Sequence, residues 1–515
     1  MSPKLRVGGG GWYFCPGWRR SGFDCGLPWG FIGVEYRRAD LRGGVKQAVF
    51  AIALIAGMFI ASAQAPAGTI ESALAYAYQN NPQLNSQRAI VRATDEGVPQ
   101  ALAGYRPKAS LTANIGMQSL STTTREIGSQ SFLTDPKFGA QYFTQSGHNA
   151  PRGVGATVTQ TLLNGFQTSN RTRLAESQVL AARETLRSIE QTVLLNAATA
   201  YMNLLRDTAI FELQRNNLTV LQEQLRQTRL RLESGNVTAT DVSQSESRLE
   251  VGRTQAFAAE ANYQSARAVY RQVIGIEPDR LSPATPVDRF APNKLTLAVV
   301  AGTAQSPIVS AAQHNVDVAM QQVKIEEGAL YPTVSIQGSV QKNYETALTA
   351  LETFSAGVAG QLSVPIYQGG AEFAKIRQAK ETQGQKQLDL SVARDQARAA
   401  VVQAWAQLEA AKSSIESTKG QVKSAESALN GVREEARLGQ RTTLDVLNAQ
   451  QELVSARIAL VSAQRDRVVN SYALLAAVGR LSPQVLRLPV PAYDARVHYH
   501  QVRDAWSGVR TPAGR

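Results

Sequence analysis

The hydrophobic positions of this chain change period in a set order, and the order occurs twice. Ala109, Leu111, Ala113, Ile115 and Met117 alternate strictly with Ser110, Thr112, Asn114, Gly116 and Gln118. Successive side chains of a strand point to opposite faces, so the run predicts a strand over about 108–118, apolar on one face and small and polar on the other. The same alternation returns at Val154, Ala156 and Val158, predicting a strand over about 152–163. It returns again at Val334, Ile336, Gly338 and Val340 (about 333–343), then at Phe354, Ala356, Val358, Leu362, Val364 and Ile366 (about 354–366). Elsewhere the step becomes three and four, as in Leu186, Ile189, Val193, Ala197, Ala200 and Leu204, or Val422, Ala425, Leu429, Val432 and Ala436. No proline interrupts Arg152 to Glu277 or Ile366 to Ser482, so each region predicts a long helical hairpin, 166–276 and 370–480. Their first arms, of about 70 residues, would span roughly 100 Å at 1.5 Å per residue, and the Ala-rich seams allow close approach. Shorter helical stretches, 70–104 and 295–328, each end as a proline approaches.

The order repeats because the chain is a tandem duplication. Asn164-Gly165, Gly235, Asp241-Val242 and Gly275 recur as Gln368-Gly369, Gly439, Asp445-Val446 and Gly479, an offset of 204 without a gap. Upstream, Asn81-Pro82 matches Ser306-Pro307 at an offset of 225, so the first copy carries a 21-residue insertion between about Gly116 and Arg152. The expected layout is therefore repeat 1 over 66–290, repeat 2 over 291–482, and a polar, basic, extended tail over 483–515 with no assigned function.

The two hairpins turn at related loops, SGNVTATDVSQSE (Ser234 to Glu246) and LGQRTTLDVLNAQ (Leu438 to Gln450). Gly235 and Gly439 are helix-stop signals. Asp241 and Asp445, with neighbouring threonines, suit capping of the returning helices. One Asp per chain also becomes a ring of like charges in any cyclic assembly. The pKa values of such a ring would rise, or the ring would hold a cation.

Charge and composition narrow the function. The net charge is +13; residues 1–65 carry eight basic and three acidic side chains, leaving about +8 dispersed along helical stretches. That dispersal is a solvated surface and not a nucleic-acid footprint. Arg37, Arg38, Arg42 and Lys46 precede an apolar core from Ala48 to Ile60 and small-residue cleavage sites at Ala63 and Ala65, so 45–65 reads as a secretory signal peptide. Residues 1–44 ahead of it read as a leader from a mis-assigned start. Cys15 and Cys25 both precede the cleavage site, and their spacing fits no metal motif. Walker, dinucleotide, Ser-elbow and zincin motifs are missing from the exported portion, so neither an enzyme nor a cofactor is expected. By pattern alone the strands also suit a soluble half-buried sheet. An exported chain with no run of 18 apolar residues favours membrane-spanning strands instead, since only helices and closed barrels satisfy every backbone group in lipid. Four strands cannot close; two chains would supply eight and three would supply twelve, and the pattern leaves that choice open.

The signal peptide, the duplicated helix–strand–strand–hairpin unit and the G-x-[RV]-T-x-x-D-V loops together resemble the TolC family of outer-membrane efflux proteins, over nearly all of residues 66–485. The resemblance implies a mainly α fold with a membrane β-barrel portion. Three chains would share a 12-stranded outer-membrane barrel that continues into a 12-helix periplasmic tunnel. It implies a homotrimer in outer-membrane lipid that serves as a passive exit duct for drugs or type I secretion. A periplasmic adaptor and an inner-membrane pump or ABC transporter would open and drive it. It places Asp241, Arg441, Asp445 and Asn448 at a periplasmic gate, with Arg441 tied to Asp241, and Asn448 where some members carry a second Asp. Ser234, Gly235, Asn236, Leu438, Gly439 and Gln440 become tip residues for adaptor contact. No resident metal is implied, beyond a cation that an Asp445 ring would attract. The competing reading of the long hairpins is a periplasmic coiled-coil adaptor or scaffold.

Overall fold

A computed structural model of the protein describes residues 68–126, 141–348 and 350–512. The leader, the signal peptide, both cysteines and the centre of the first-copy insertion lie outside the described residues.

The opening stretch expected as one helix over 70–104 is instead three: α1 (Ile70–Asn80), α2 (Pro82–Asp95) and α3 (Gly97–Leu102), followed by a 3-10 turn. The first break falls at Asn81, whose ψ of 123° is the extended value that a following proline enforces. Asn81 then caps α2, its Oδ1 accepting the N–H groups of Gln83 and Leu84 at 3.0 and 3.3 Å. The second copy repeats the break at Ser306, ψ 125°, which separates α6 (Leu295–Gln305) from α7 (Pro307–Gly328). The expected single helix over 295–328 is thus two.

The alternating runs are strands, with corrected ends. β1 (Lys108–Ile115), β4 (Arg152–Asn164), β5 (Thr333–Ala347) and β6 (Ala350–Ser363) form one antiparallel sheet in the order β1-β4-β5-β6. The insertion supplies β2 (Gln118–Glu126) and β3 (Gln141–Asn149), which pair as a separate hairpin. β1 stops early because its next in-register partner is Pro151, whose carbonyl accepts the Gly116 N–H at 2.8 Å but which has no N–H to return. The strands extend beyond the expected 343 and 354: residues 344–347 and 350–353 belong to β5 and β6, with a Lys342–Glu352 ion pair at 2.7 Å between them. β6 ends at Ser363, short of the expected 366, since Pro365 has no N–H to give a ladder.

Register converts the alternation into two-sided character. Leu111, Ala156, Val340 and Ala356 lie side by side across all four strands, and Ser110, Thr157, Ser339 and Gly357 form the adjoining row on the opposite face. The apolar row is uncovered: Leu111 is 75% exposed, and Val358 on the same face is 79% exposed. Among the described residues, β1 and β6 have free edges.

Below the sheet run the hairpins. α4 (Gln167–Glu233) and α8 (Ala371–Arg437) have 67 residues each, and α5 (Ala239–Ile274) and α9 (Thr443–Ala477) return along them. At 1.5 Å per residue each long arm measures about 100 Å. Entry into α4 needs Gly165 at φ 59°, and a Cβ there would collide with the Gly328 carbonyl oxygen at the end of α7. α7 packs along both α4 and α8, while α1 and α2 pack on α4. The α6–α7 segment contains an 18-residue window of mean hydropathy 1.4, long and apolar enough by composition to cross a membrane. Its break at Ser306-Pro307 and the packing of α7 place it within the helical body. The main core lies where the short helices meet the hairpins, around Leu74, Leu84, Leu194, Tyr201, Tyr270 and Tyr472. The buried Tyr201 hydroxyl lies 2.7 and 2.6 Å from the carbonyls of Gly68 and Ser282, so burial leaves its polar end satisfied.

Residues after 482 are not an extended tail. Ser482 to Leu488 form a hydrogen-bonded turn, and α10 (Ala495–Val502) packs on α2. The His498 Nδ1 lies 3.1 Å from Oδ2 of the fully buried Asp95, and the Tyr493 N–H donates to the Tyr78 hydroxyl at 3.1 Å.

Candidate functional site: the paired hairpin tips

Both long helices end in the same way. At the first tip Gly235 takes φ 73°, its N–H bonds the Leu232 carbonyl, and the Asn236 N–H reaches back to Arg231 at 2.9 Å. At the second, Gly439 takes φ 79° and the Gln440 N–H reaches back to Glu435 at 2.9 Å. A glycine in the left-handed conformation satisfies carbonyls that the helix end would otherwise leave free. Ser234, Asn236, Leu438 and Gln440 are exposed around these turns.

The return helices open with matching capping boxes. The Thr238 N–H and hydroxyl donate to Asp241 Oδ2 at 2.9 and 2.7 Å, and the Asp241 N–H donates back to Thr238 Oγ1 at 3.3 Å. Thr442 and Asp445 repeat the arrangement at 3.0, 2.8 and 3.2 Å. The Thr backbone N–H, then its hydroxyl, hold each carboxyl below the ordinary aspartate range. Capping alone therefore lowers these pKa values, opposite in direction to the effect expected from an assembled ring.

Within one chain Arg441 does not reach Asp241. Its Nε donates to Glu435 Oε2 of its own hairpin at 2.9 Å, and that bond, with the Asp445 charge behind it, raises its pKa further. Asn448 is where the two hairpins join: its Oδ1 accepts from Arg248 Nη2 on α5 at 2.8 Å. The neutral amide thus presents an acceptor to a cation from the other hairpin.

Two further contacts join the hairpins and were not singled out from the sequence. Leu447, beside Asn448, is 3% exposed and enters a cluster with Leu221, Leu225 and Leu249 of the first hairpin. One turn on, Gln450 accepts from Arg433 at 3.0 Å and points its amide at the Asn217 Oδ1, 3.5 Å away. The signal available for Leu447 was an apolar residue immediately after the shared Asp-Val, where the first copy has Ser243. Above the tips a groove of about 540 Å³ separates α4 from the second hairpin; Arg231, Arg433, Arg437 and Arg441 line it with Glu223. Among the described residues no cluster of three His, Cys, Asp or Glu side chains is placed to hold a metal.

The family model described as "Outer membrane efflux protein" matches residues 73–275 and 302–480, one block in each repeat. The chain belongs to the outer membrane efflux protein family. This efflux protein is 40% identical over 474 residues to the outer membrane efflux protein BepC of Brucella suis, covering 91% of this chain and 98% of that one. It is 26% identical to the outer membrane protein TolC of Escherichia coli, covering 68% and 75% of the two chains. Among solved structures, the Campylobacter jejuni CmeC outer membrane channel superposes with a TM-score of 0.68 at 13% identity, over 84% of this chain and 89% of that one. The efflux protein therefore has the TolC-like fold of long helices and strands. It is a non-enzymatic efflux and secretion channel protein of the outer membrane, extending into the periplasm.

Proposed function

We propose that three copies close around one axis, joining their sheets into a 12-stranded barrel and their hairpins into a 12-helix tunnel. The observation that carries this is the uncovered apolar row Leu111, Ala156, Val340 and Ala356 on a sheet whose edges β1 and β6 are free. Lipid covers such a face only if no backbone edge remains open, and edge-to-edge closure by further copies removes both edges. The polar row then lines the bore. The bore continues between hairpins about 100 Å long, enough to cross much of a periplasm.

The assembled tips form the gate. Asp241 and Asp445 become rings, Arg441 exchanges Glu435 for an acid on a neighbouring hairpin, and Asn448 keeps any second ring neutral. Ser234, Gly235, Asn236, Leu438, Gly439 and Gln440 meet a periplasmic adaptor, and an inner-membrane pump or ABC transporter supplies the energy that this chain has no nucleotide motif to supply. Two relatives are named for what they export: the alkaline protease secretion protein AprF and the pyoverdine export protein OpmQ, both of Pseudomonas aeruginosa. Protein and small-molecule cargo are both compatible with this duct.

The assembly is tested in outer-membrane fractions, where a heat-modifiable trimer is expected and a monomer at all temperatures refutes closure. The gate is tested in planar bilayers. Arg441→Ala is expected to raise single-channel conductance, and unchanged conductance removes Arg441 from the latch. Asp445→Ala is expected to abolish block by divalent cations, and persistent block assigns it to another ring.

A further inference from the structure

The C-terminal segment delivers a tryptophan to the end of the sheet where strands become helices. β1 and β5 begin at that end, and β4 and β6 finish there, as the pairing of Lys108 with Thr159 and of Thr333 with Asn164 and Ser363 requires. Each of these four junctions carries an exposed aromatic: Tyr105, Phe166, Tyr331 and Tyr367, which are 53%, 67%, 56% and 74% exposed. A fifth arrives from the far end of the chain. Arg106, two residues ahead of β1, donates from Nη1 to the Ala505 carbonyl at 2.6 Å, and its guanidinium lies 4.7 Å from the Trp506 ring centre. Between α10 and α2 the segment is firmly held. His498 meets buried Asp95, Arg88 sits between the Tyr78 and Tyr493 rings at 4.6 and 5.0 Å, and Val502 is buried. Beyond this hold, Trp506 is 72% and Val509 fully exposed.

A pinned segment that ends by presenting its largest apolar side chain outward needs an amphipathic surface to receive it. Trp and Tyr concentrate at membrane–water interfaces because the ring suits the acyl boundary and the N–H or O–H suits the headgroups. The charge is complementary as well: half-buried Arg106 lies against the Trp506 ring, and exposed Lys108, Arg503 and Arg510 follow within four residues of one or the other along the chain, against one acid, Asp504. Basic side chains at this depth attract anionic headgroups.

We propose that the C-terminal segment is a membrane-interface strap. Trp506 and Val509 enter the phospholipid headgroup region of the periplasmic leaflet beside the four junction aromatics, and Arg106, Lys108, Arg503 and Arg510 meet the phosphates. This rests on the sheet lying in the membrane as described under the proposed function.

The test uses the full-length protein, processed by its host and reconstituted in phosphatidylethanolamine–phosphatidylglycerol vesicles. Trp405 and Trp506 are the two tryptophans downstream of the signal peptide. The difference in emission between Trp405→Phe and the Trp405→Phe/Trp506→Phe double variant isolates Trp506. Phospholipids brominated high on the acyl chain are expected to remove about half of that emission, and those brominated near the chain end much less. Arg106→Ala is expected to reduce the shallow quenching while the heat-modifiable trimer persists. Emission that is indifferent to brominated lipid and fully open to iodide overturns the strap, as does deep quenching stronger than shallow. Protein that does not float with the vesicles fails the membrane reading of the sheet; protein that floats with Trp506 unquenched fails the strap alone.

Discussion

Replacing Leu447 by Ala tests which contact holds the second hairpin tip against the first. Leu447 is 3% exposed among Leu221, Leu225 and Leu249, themselves 6–7% exposed, so truncation empties a site walled by both hairpins. Leu→Ala changes in cores cost about 2–5 kcal/mol, and a small cluster near a helix end relaxes more easily than a deep core. A loss of about 2–3 kcal/mol follows, or roughly 30- to 150-fold in the equilibrium between docked and separated tips. The competing contact, Arg248 to Asn448, lies at the surface. A surface polar contact of this kind contributes only about 0–1 kcal/mol. Amide hydrogen exchange of the purified protein resolves the two. Over 239–252 and 443–454, Leu447→Ala is expected to speed exchange by roughly the same 30- to 150-fold, and Arg248→Ala by less than about ten-fold. Unchanged exchange in Leu447→Ala, or a larger effect from Arg248→Ala, refutes an apolar clasp.

Acid is expected to loosen the tips before the core. Folding lowers the Asp241 and Asp445 pKa values, so their capping contribution is complete above the ordinary aspartate value of about 3.9 and is lost as pH falls below it through the lowered ones. Pepsin should begin to cut at the tips only in that lower range, and the Asp241→Asn/Asp445→Asn variant should be cut with little pH dependence. Gly165→Val should prevent assembly, because the residue needs φ 59° and its Cβ would meet the Gly328 carbonyl. A normal yield of heat-modifiable trimer from that variant would contradict the close approach. Among the described residues, His498→Ala leaves buried Asp95 with Arg183, 3.7 Å away, as its one nearby cation. Trypsin should then remove the C-terminal segment faster than from the unchanged protein, and equal rates would show that the Asp95 contact does not hold it.

How much was legible in the sequence differs by element, for identifiable reasons. The alternation of Leu111, Ala113 and Ile115 follows from backbone geometry alone, so those strands were readable one at a time. Their ends were not, because β1 stops where the register brings Gly116 opposite Pro151, a residue on the other side of the insertion that has no N–H to pair. The break at Asn81-Pro82 is written in the local sequence, since a proline forces the residue before it into the extended region, although the expectation over 70–104 is a single helix. The caps were only partly legible: the expectation sets Asp241 and Asp445 as caps, whereas Thr238 and Thr442 occupy the N-cap position and the two Asp residues stand three places on, completing each box. Arg441 bonding Glu435 was not anticipated, since six residues of separation mean nothing until Gly439 turns the chain. The tail differs from its expectation because prolines and charges suit an extended segment, whereas its fold comes from packing on α2. Its hold depends on Asp95, Tyr78 and Arg106, some 400 residues away.

By itself, then, the sequence determined what is periodic or local: the duplication, the two helical hairpins, the two-faced strands and the capped turns. Each is set by covalent geometry and by neighbours within a turn of helix or one strand. Tertiary structure alone decided what joins the copies. Leu447 lies in a leucine site of the first hairpin, Arg248 on Asn448, and Trp506 at the mouth of the sheet, because contacts between distant segments depend on packing and not on any repeat in the chain.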